Sequence, residues 1–430
     1  MVVDQIVRLL GNLILTGLIA KHLKPEGFGV LSHALNIIAV AMPLACAGLE
    51  DTVLKRLLAA KDSEKNSILT TALYIRLVSG VIVSLLVALA ILNISPEASA
   101  EVMVVISLGL ISQAPSVLEK ILQSDSSLRR IATARILTFL GSSVIRVLLL
   151  YSGAPLVAFA WVITLEPILA FGIVYLITPA SLQPSLTEGF QIREAKELLL
   201  ISWPFLTSGV LVAAYFRIEQ IVVMKYLGAS ELGKYAAAAR IAGCGGLMVP
   251  VLLSSILPRL LRAGASEAGA KIGHALVVVP EFRKLLRVGA FYGLMLSAAT
   301  MLLAPIVIVS LFGDSYAEAI PVAIILATVP PALISGGVRA QFVLVHGCAS
   351  IHNWAAVVGI GINCGTALIL IPRIGPIGAA VGSVLGAYSS AIGTSLLSPS
   401  LKSFGILQLR AFAAALKLRN WMELLPRNSR

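Results

Sequence analysis

The amino-acid sequence reads as an all-α integral membrane protein with about 12 transmembrane helices in two six-helix bundles, and three features carry that reading. The first is composition: 58% of the residues are hydrophobic, 13% are charged, and the mean hydropathy is +0.95. A soluble globule holds about 45–50% apolar and about 25% charged residues, so this chain has more apolar surface than one core can hide. The second is length, because apolar runs recur at about the 20 residues that a helix needs to cross a bilayer. The third is an internal echo. Shifted by 204 positions, Lys21, Leu23, Gly29, Ala34 and Ile37 fall on Lys225, Leu227, Gly233, Ala238 and Ile241. A repeat of that period, opening where one apolar run gives way to the next, points to two similar bundles related by a pseudo-two-fold.

In chain order, the opening run carries Asp4 and Arg8 and passes directly into a second apolar run, so it reads as a span and not as a cleaved signal peptide. The stretch Lys21 to Gly29 separates the two. The predicted spans of the first half are 4–20, 30–49, 68–92, 101–118, 131–151 and 156–177. Those of the second half are 202–223, 232–257, 288–311, 319–345, 354–371 and 377–397. Helices are expected because strands in lipid need a closed barrel to satisfy their backbone. The chain then divides into an N-terminal bundle (1–177), a connecting loop (178–201) with Pro179, Pro184 and a charged stretch from Glu188 to Glu197, a C-terminal bundle (202–397) and a basic tail (398–430). In the tail, Lys417, Arg419 and Arg427 mix with Phe412, Leu416, Trp421 and Leu424, which reads as an amphipathic helix on the cytoplasmic surface. With the N-terminus in the cytoplasm, 21 Lys and Arg fall in the loops and tail on that side, against Lys21, Lys24, Lys225 and Arg373 on the other. That asymmetry follows the positive-inside rule and predicts two cytoplasmic termini in a bacterial inner membrane.

A net charge of +12 would point a soluble protein toward nucleic acid, but here the charges sit mostly in loops, and no nucleic-acid partner is implied. Cys46, Cys244, Cys348 and Cys364 lie far apart without a Cys-x-x-Cys or a nearby His cluster, so neither a disulfide framework nor a zinc site follows. The segment 264–271 has phosphate-loop glycine spacing but Ala270 at the position before its lysine, with no Ser or Thr after it. Gly359, Gly361 and Gly365 miss the dinucleotide spacing, whereas Gly378, Gly382 and Gly386 recur every fourth residue, as close helix packing requires. No Ser, His and Asp set converges, so the reading is of a non-enzyme with no catalytic residue, cofactor or metal.

What needs a function is charge inside the spans. Arg76, Arg146, Arg217, Arg240 and Arg339 are set against Glu219, and each costs about 2.5–3.5 kcal/mol at a helix centre on insertion scales. They must face water, a partner or a ligand. Guanidinium binds phosphate oxygens bidentately and stays charged, which suits a pyrophosphate-bearing cargo. Against this, Arg135 and Arg339 lie near enough to span ends to snorkel. Glu219 reads either as an ion-coupling carboxylate or as the partner of Arg240. Prolines inside spans (Pro43, Pro115, Pro167, Pro204, Pro250, Pro305, Pro330 and Pro331) each remove a backbone donor and can kink a helix that moves.

The run Lys-His-Leu-Lys-Pro-Glu-Gly-Phe-Gly from Lys21, followed by an apolar helix and Ala47-Gly48-Leu49, resembles the start of the Wzx-type polysaccharide flippases. These belong to the multidrug/oligosaccharidyl-lipid/polysaccharide exporter superfamily. Arg217-Ile218-Glu219-Gln220, Lys225-Tyr226-Leu227-Gly228, Glu231 to Tyr235 and Ala239-Arg240 resemble that family's seventh and eighth helices. Gly375-Pro376-Ile377-Gly378-Ala379-Ala380 resembles its last hairpin. One departure is Glu219, where relatives often carry Asp. The resemblance implies a MATE-like transporter fold that rocks one half against the other around a cavity lined by its first, second, seventh and eighth helices, which raises Arg217, Glu219 and Arg240 above Arg76 and Arg146. It implies a cargo as well: an undecaprenyl-pyrophosphate-linked oligosaccharide, flipped from the cytoplasmic to the outer leaflet. Membrane lipids, a polysaccharide polymerase and other assembly proteins are the implied partners. Two alternatives stand beside it, a cation-coupled multidrug exporter of the same superfamily and a membrane glycosyltransferase or polymerase. The first expects more acidic groups than arginines in its spans, and the second expects a large outer loop.

Overall fold

A computed structural model describes residues 2–94, 97–125, 127–178, 189–246, 271–272, 275–276, 280–345 and 349–416. The described residues are all-α apart from a two-residue antiparallel pairing of Lys271–Ile272 with Ala275–Leu276. It divides into two compact units, Met1–Arg217 and Ile218–Arg430.

The first unit opens with α1 (Val2–Ala45), in which the two predicted spans are one helix broken at Lys24 (φ 57, ψ 172). Pro25 explains why the break falls there: it lacks an amide hydrogen, and the residue before a proline is driven out of helical geometry. After a turn at Ala47 and Gly48, α2 (Leu49–Ala59) continues. Gly48 has φ +64, and a Cβ there would stand 2.6 Å from the Leu206 backbone nitrogen, so both its torsion and its neighbour require glycine. Next is α3 (Asp62–Ile94). The predicted span 101–118 is a series of short pieces: α4 (Glu97–Ser107), α5 (Gly109–Ser112), a 3-10 turn (Ala114–Leu118) opened by Pro115, and α6 (Glu119–Ser124). The unit then adds α7 (Leu128–Tyr151), α8 (Leu156–Ile177) and α9 (Ile192–Tyr215).

Helix α9 departs from the sequence expectation. It begins at Ile192, inside the segment read as a loop (178–201), and belongs to the first unit. Its charged start looks like a loop in sequence, yet Arg56 of α2 pairs with Glu194 at 3.0 Å and with Glu197 at 3.1 Å, which gives those charges a folded partner. The expected span 202–223 is interrupted by a turn at Phe216 and Arg217. Pro179, Pro184 and Glu188 lie outside the described residues.

The second unit opens with α10 (Ile218–Gly246), broken at Gly228 (φ 83, ψ −176). Under the 204-residue shift Gly228 is the counterpart of Lys24, so the echo in sequence is an echo in backbone: the same irregular torsion at the same place. The expected span 232–257 passes beyond 246 into residues not described, as do Pro250 and the segment 264–270. Helix α11 (Pro280–Val307) ends in a π turn (Ile308–Phe312), followed by α12 (Ile320–Leu326) and α13 (Val329–Val345), whose junction precedes Pro330 and Pro331. The last hairpin pairs α14 (Ala349–Ile374) with α15 (Pro376–Tyr388), which runs through a second π turn (Ser389–Gly393) into α16 (Thr394–Leu397). Here the glycine stripe does what its spacing predicts. A Cβ on Gly378 would lie 2.6 Å from the Leu370 carbonyl carbon, and one on Gly386 would lie 2.8 Å from Asn363 Cβ.

Ten helices among the described residues are long and apolar enough to cross a membrane, the first of them, Leu10–Ala59, containing both spans that the Lys24 break separates. Leu85, Leu86, Leu148, Leu176, Leu302 and Ile306 stand exposed on these helices, as a hydrocarbon-facing surface demands. The tail differs from expectation. Helix α17 (Lys402–Ala415) does not simply lie on a surface: it buries Phe404, Gln408, Ala411 and Ala415, a 3.6-residue stripe, in the core of the second unit. Phe404 stacks on Phe342 with ring centroids 4.5 Å apart, and Gln408 donates to Ser335 Oγ at 2.9 Å and to the Ala391 carbonyl at 3.0 Å. Lys417, Arg419, Trp421, Leu424 and Arg427 lie outside the described residues.

Candidate functional site

Each unit holds its own set of buried polar groups. In the first unit Arg76 is fully buried, at 1% exposure, on α3. Its Nη2 donates to Cys46 Sγ at 2.7 Å and to Glu50 Oε1 at 3.3 Å, while Lys120 Nζ stands 3.9 Å from the other Glu50 oxygen. Arg146 on α7 is paired with Glu166 on α8, and Ser142 Oγ donates to the second Glu166 oxygen at 3.2 Å. This corrects the count of five arginines against one glutamate, because Glu166 lies in the middle of a predicted span and neutralises Arg146 there. Arg135 likewise pairs with Glu119 at 2.9 Å.

Arg217 stands apart from these. It follows α9 at a turn in which its amide donates to the Ala214 carbonyl, and its Nη1 donates to Asn36 Oδ1 of α1 at 3.4 Å. The partner is a neutral amide, so the guanidinium is oriented without having its charge cancelled by that contact. The turn itself is braced by the edge-to-face pair Tyr215 and Phe216, 5.0 Å between centroids.

In the second unit Glu219, in the first turn of α10, is 7% exposed and accepts from Asn363 Nδ2 of α14 at 3.2 Å. Two turns beyond the Gly228 break, Tyr235 is fully buried, and its hydroxyl lies 3.2 Å from Ser383 Oγ of α15. Arg240 is exposed on α10, and its backbone carbonyl accepts from Cys244 Sγ at 3.3 Å. Arg339 is buried on α13 and donates to Thr394 Oγ1 at 3.2 Å. Snorkelling is therefore not what holds its side chain. Lys234 pairs with Glu231 at 2.8 Å and with Glu318. Among the described residues no group of three His, Cys, Asp or Glu side chains is placed to hold a metal ion.

Five of the six residues read from sequence have a polar side-chain partner given above in their own unit: Arg76 with Glu50, Arg146 with Glu166, Arg217 with Asn36, Glu219 with Asn363, and Arg339 with Thr394. Asn36 and Asn363 went unread, since a neutral amide carries no charge to mark it inside an apolar run. Glu166 also went unread, although it is the one charge in the run 156–177.

The family described as polysaccharide biosynthesis protein matches residues 18–321, most of the chain. Among solved structures, the lipid II flippase MurJ in an inward closed conformation superposes with a TM-score of 0.73 at 13% identity, covering 99% of this chain and 93% of that one. An inward-facing multidrug resistance MATE family transporter of the MOP superfamily gives a TM-score of 0.69 at 16% identity over 94% of this chain and 95% of that one. A MATE in complex with MaD5 gives 0.62 at 19% identity, covering 96% and 94%. At these identities the likeness is one of fold. No curated protein matches the chain.

Proposed function

The chain belongs to the polysaccharide biosynthesis protein family, and from that premise we propose that it is a flippase that carries an undecaprenyl-pyrophosphate-linked oligosaccharide from the cytoplasmic to the outer leaflet for surface polysaccharide assembly. The fold it shares with MATE transporters and with a lipid II flippase supports a transporter and gives no support to an enzyme. The observation that carries the cargo assignment is Arg217. Its guanidinium is half-buried and held by the neutral Asn36, so it keeps a planar, charged fork for phosphate oxygens. Arg240, exposed on α10, is the second cationic contact in this reading. Arg76, Arg146 and Arg339 serve chiefly to hold buried helices together, through Glu50, Glu166 and Thr394. Transport proceeds by alternating access in a bacterial inner membrane, with both termini in the cytoplasm as the Lys and Arg distribution indicates. A polysaccharide polymerase acting on the delivered glycan is the expected partner.

Moving a charged glycan uphill needs an energy source, and Glu219 is the coupling group in this reading: a carboxylate in a low-exposure site, oriented by Asn363. That same carboxylate favours the second reading, a cation-coupled exporter of cationic compounds. One experiment separates them. The full chain is reconstituted into phosphatidylethanolamine/phosphatidylglycerol vesicles, and movement of a fluorescent pyrophosphate-linked lipid disaccharide is compared with movement of a cationic dye. The flippase moves the first and loses that movement with Arg217→Ala, while Arg217→Lys recovers part, because an ammonium keeps charge but not the fork. Transport of the dye alone overturns the assignment.

A further inference from the structure

The Lys24 and Gly228 breaks put the two halves in register, and in that register the helices that follow them can be compared residue by residue. Leu31, Ser32, His33, Ala34, Leu35, Asn36 and Ile37 fall on Tyr235, Ala236, Ala237, Ala238, Ala239, Arg240 and Ile241. The second unit fills the counterparts of Ser32 and His33 with two buried alanines. Packing at this place therefore needs small or apolar side chains, and the fold does not call for a hydroxyl and an imidazole. Yet the first unit has both. Ser32 is 4% exposed, and neither Ser32 Oγ nor His33 Nδ1 has a hydrogen-bond partner among the described residues, although both atoms are buried.

A serine in a buried helix usually has a cheap remedy, since its hydroxyl can donate to a carbonyl one turn back. Ser79 does this to Ile75 at 2.8 Å and Thr138 to Ala134 at 2.9 Å, both in the same unit. Ser32 does not. An unmet buried hydroxyl costs about 1–3 kcal/mol, so a ligand that meets it gains correspondingly. Helical spacing decides where these atoms lie. Asn36 is four residues from Ser32 and three from His33, so all three share the side of α1 from which Asn36 reaches Arg217.

We propose that Ser32 and His33 complete a diphosphate-binding subsite around Arg217: the guanidinium takes two phosphate oxygens, Asn36 orients it, and the hydroxyl and imidazole take the remaining oxygens. This rests on the flippase reading above and names the group of the cargo that the first unit grips. The two unmet atoms are matched to hydrogen-bond-accepting oxygens, and the Arg217 guanidinium, held by Asn36 on that side of α1, sets the sign of the ligand.

The test uses the full chain in detergent and three probes: farnesyl pyrophosphate, inorganic pyrophosphate and farnesol. Calorimetric titration is run on the wild type and on Ser32→Ala/His33→Ala, a pair that copies Ala236 and Ala237 and is therefore compatible with the helix. Farnesyl pyrophosphate binding is expected to weaken by roughly tenfold to a hundredfold, the worth of one or two hydrogen bonds to a charged group. Farnesol binding is expected to stay as in the wild type, and the thermal midpoint to hold or rise, since the change removes two unmet buried polar atoms. A loss shared by inorganic pyrophosphate assigns the subsite to the diphosphate itself, and a loss confined to farnesyl pyrophosphate assigns it to the lipid-linked form. Equal farnesyl pyrophosphate affinity in the double variant and the wild type, while Arg217→Ala still lowers it, overturns the subsite and leaves the flippase reading standing. If the wild type binds neither pyrophosphate, both fall together.

Discussion

The helix after Lys24 and the helix after Gly228 share a backbone break and share little of the chemistry that follows it. Beyond Lys24 stand Ser32, His33 and Asn36, with Arg217 held by the last of these. Around the Gly228 break stand Glu219, held by Asn363, and the buried pair of Tyr235 and Ser383. The repeat has preserved backbone geometry, and in the proposed reading it divides the function: the first unit offers the Arg217 cation with the unmet Ser32 and His33 atoms, the second the Glu219 carboxylate. That fits a transporter in which one half grips an anionic cargo while the other responds to an ion. Placing one unit's residue in the other is the most direct way to break the comparison.

The largest effect is expected from Asn36→Arg, which installs in the first unit the residue that the repeat carries at position 240. Two guanidinium groups would then face each other across a few ångströms. Leaving a buried charge without a compensating partner costs about 3–5 kcal/mol, enough to lower the amount of protein in the membrane sharply and to abolish export. Quantitative immunoblotting of membranes reads the first and surface polysaccharide the second. Normal abundance with normal export would show that Asn36 and Arg217 do not need their present pairing. The converse change, Arg240→Asn, leaves an exposed position and is expected to keep abundance while reducing export.

Next in size is Glu219→Gln, which tests the other side of the division. Glutamine keeps an oxygen for Asn363 Nδ2, so the contact survives and abundance is expected to stay normal. If the carboxylate couples transport, vesicles containing this variant lose their response to an imposed pH or sodium gradient. Gradient-dependent transport that persists unchanged removes Glu219 from that role. Lower abundance, recovered in part by adding Arg240→Gln, would instead mark a structural pair across the Gly228 break.

These contrasts also mark how far sequence alone reached. Most of the spans, the repeated break and the Gly378, Gly382 and Gly386 stripe were legible because length, period and small residues at fixed spacing act locally. The start of α9 was not, because Glu194 and Glu197 read as loop until Arg56, more than a hundred positions earlier in the chain, is seen to meet them. The inward-facing stripe of α17 was hidden for a related reason. Gln408 looks like a surface residue, and only Ser335 and Ala391 explain its burial. At the site, arginines announced themselves and their partners did not. Glu166 was one charge among apolar neighbours, and Asn36 and Asn363 were neutral; which charge stays available is a property of three-dimensional pairing.

A smaller effect is expected at the breaks themselves. Gly228 has open space around the position of a Cβ, so Gly228→Ala meets no clash and isolates the cost of the torsion. Positive φ with extended ψ is a region that residues other than glycine enter at about 1–3 kcal/mol. Gly228→Ala is therefore expected to lower the thermal midpoint of the purified protein in detergent by a few degrees, with transport retained. No shift at all would mean that the chain bends elsewhere without penalty and that the break is not a fixed feature of the repeat.

The smallest effect, of opposite sign, belongs to Lys24. It sits at φ 57 and ψ 172, nearly the torsions of Gly228, but it has a side chain and so bears the strain that Gly228 avoids. Pro25 holds it there, because a residue before proline is kept out of the helical region and cannot relax by completing the turn. Lys24→Gly relieves the strain and makes the first unit's break like the second's. Part of the gain is lost to the greater freedom of glycine in the unfolded chain, about 0.5–1 kcal/mol, so a net stabilisation of about 1 kcal/mol is expected. For a unit of this size that is a rise of roughly 2–4 °C in the thermal midpoint. Lys24→Ala is the control that separates torsion from charge: it removes the ammonium and keeps the Cβ, so it is expected to leave the midpoint near the wild type. If alanine raises it as much as glycine does, the lysine was unfavourable for its charge. The likeness of the two breaks would then be one of shape without a shared strain.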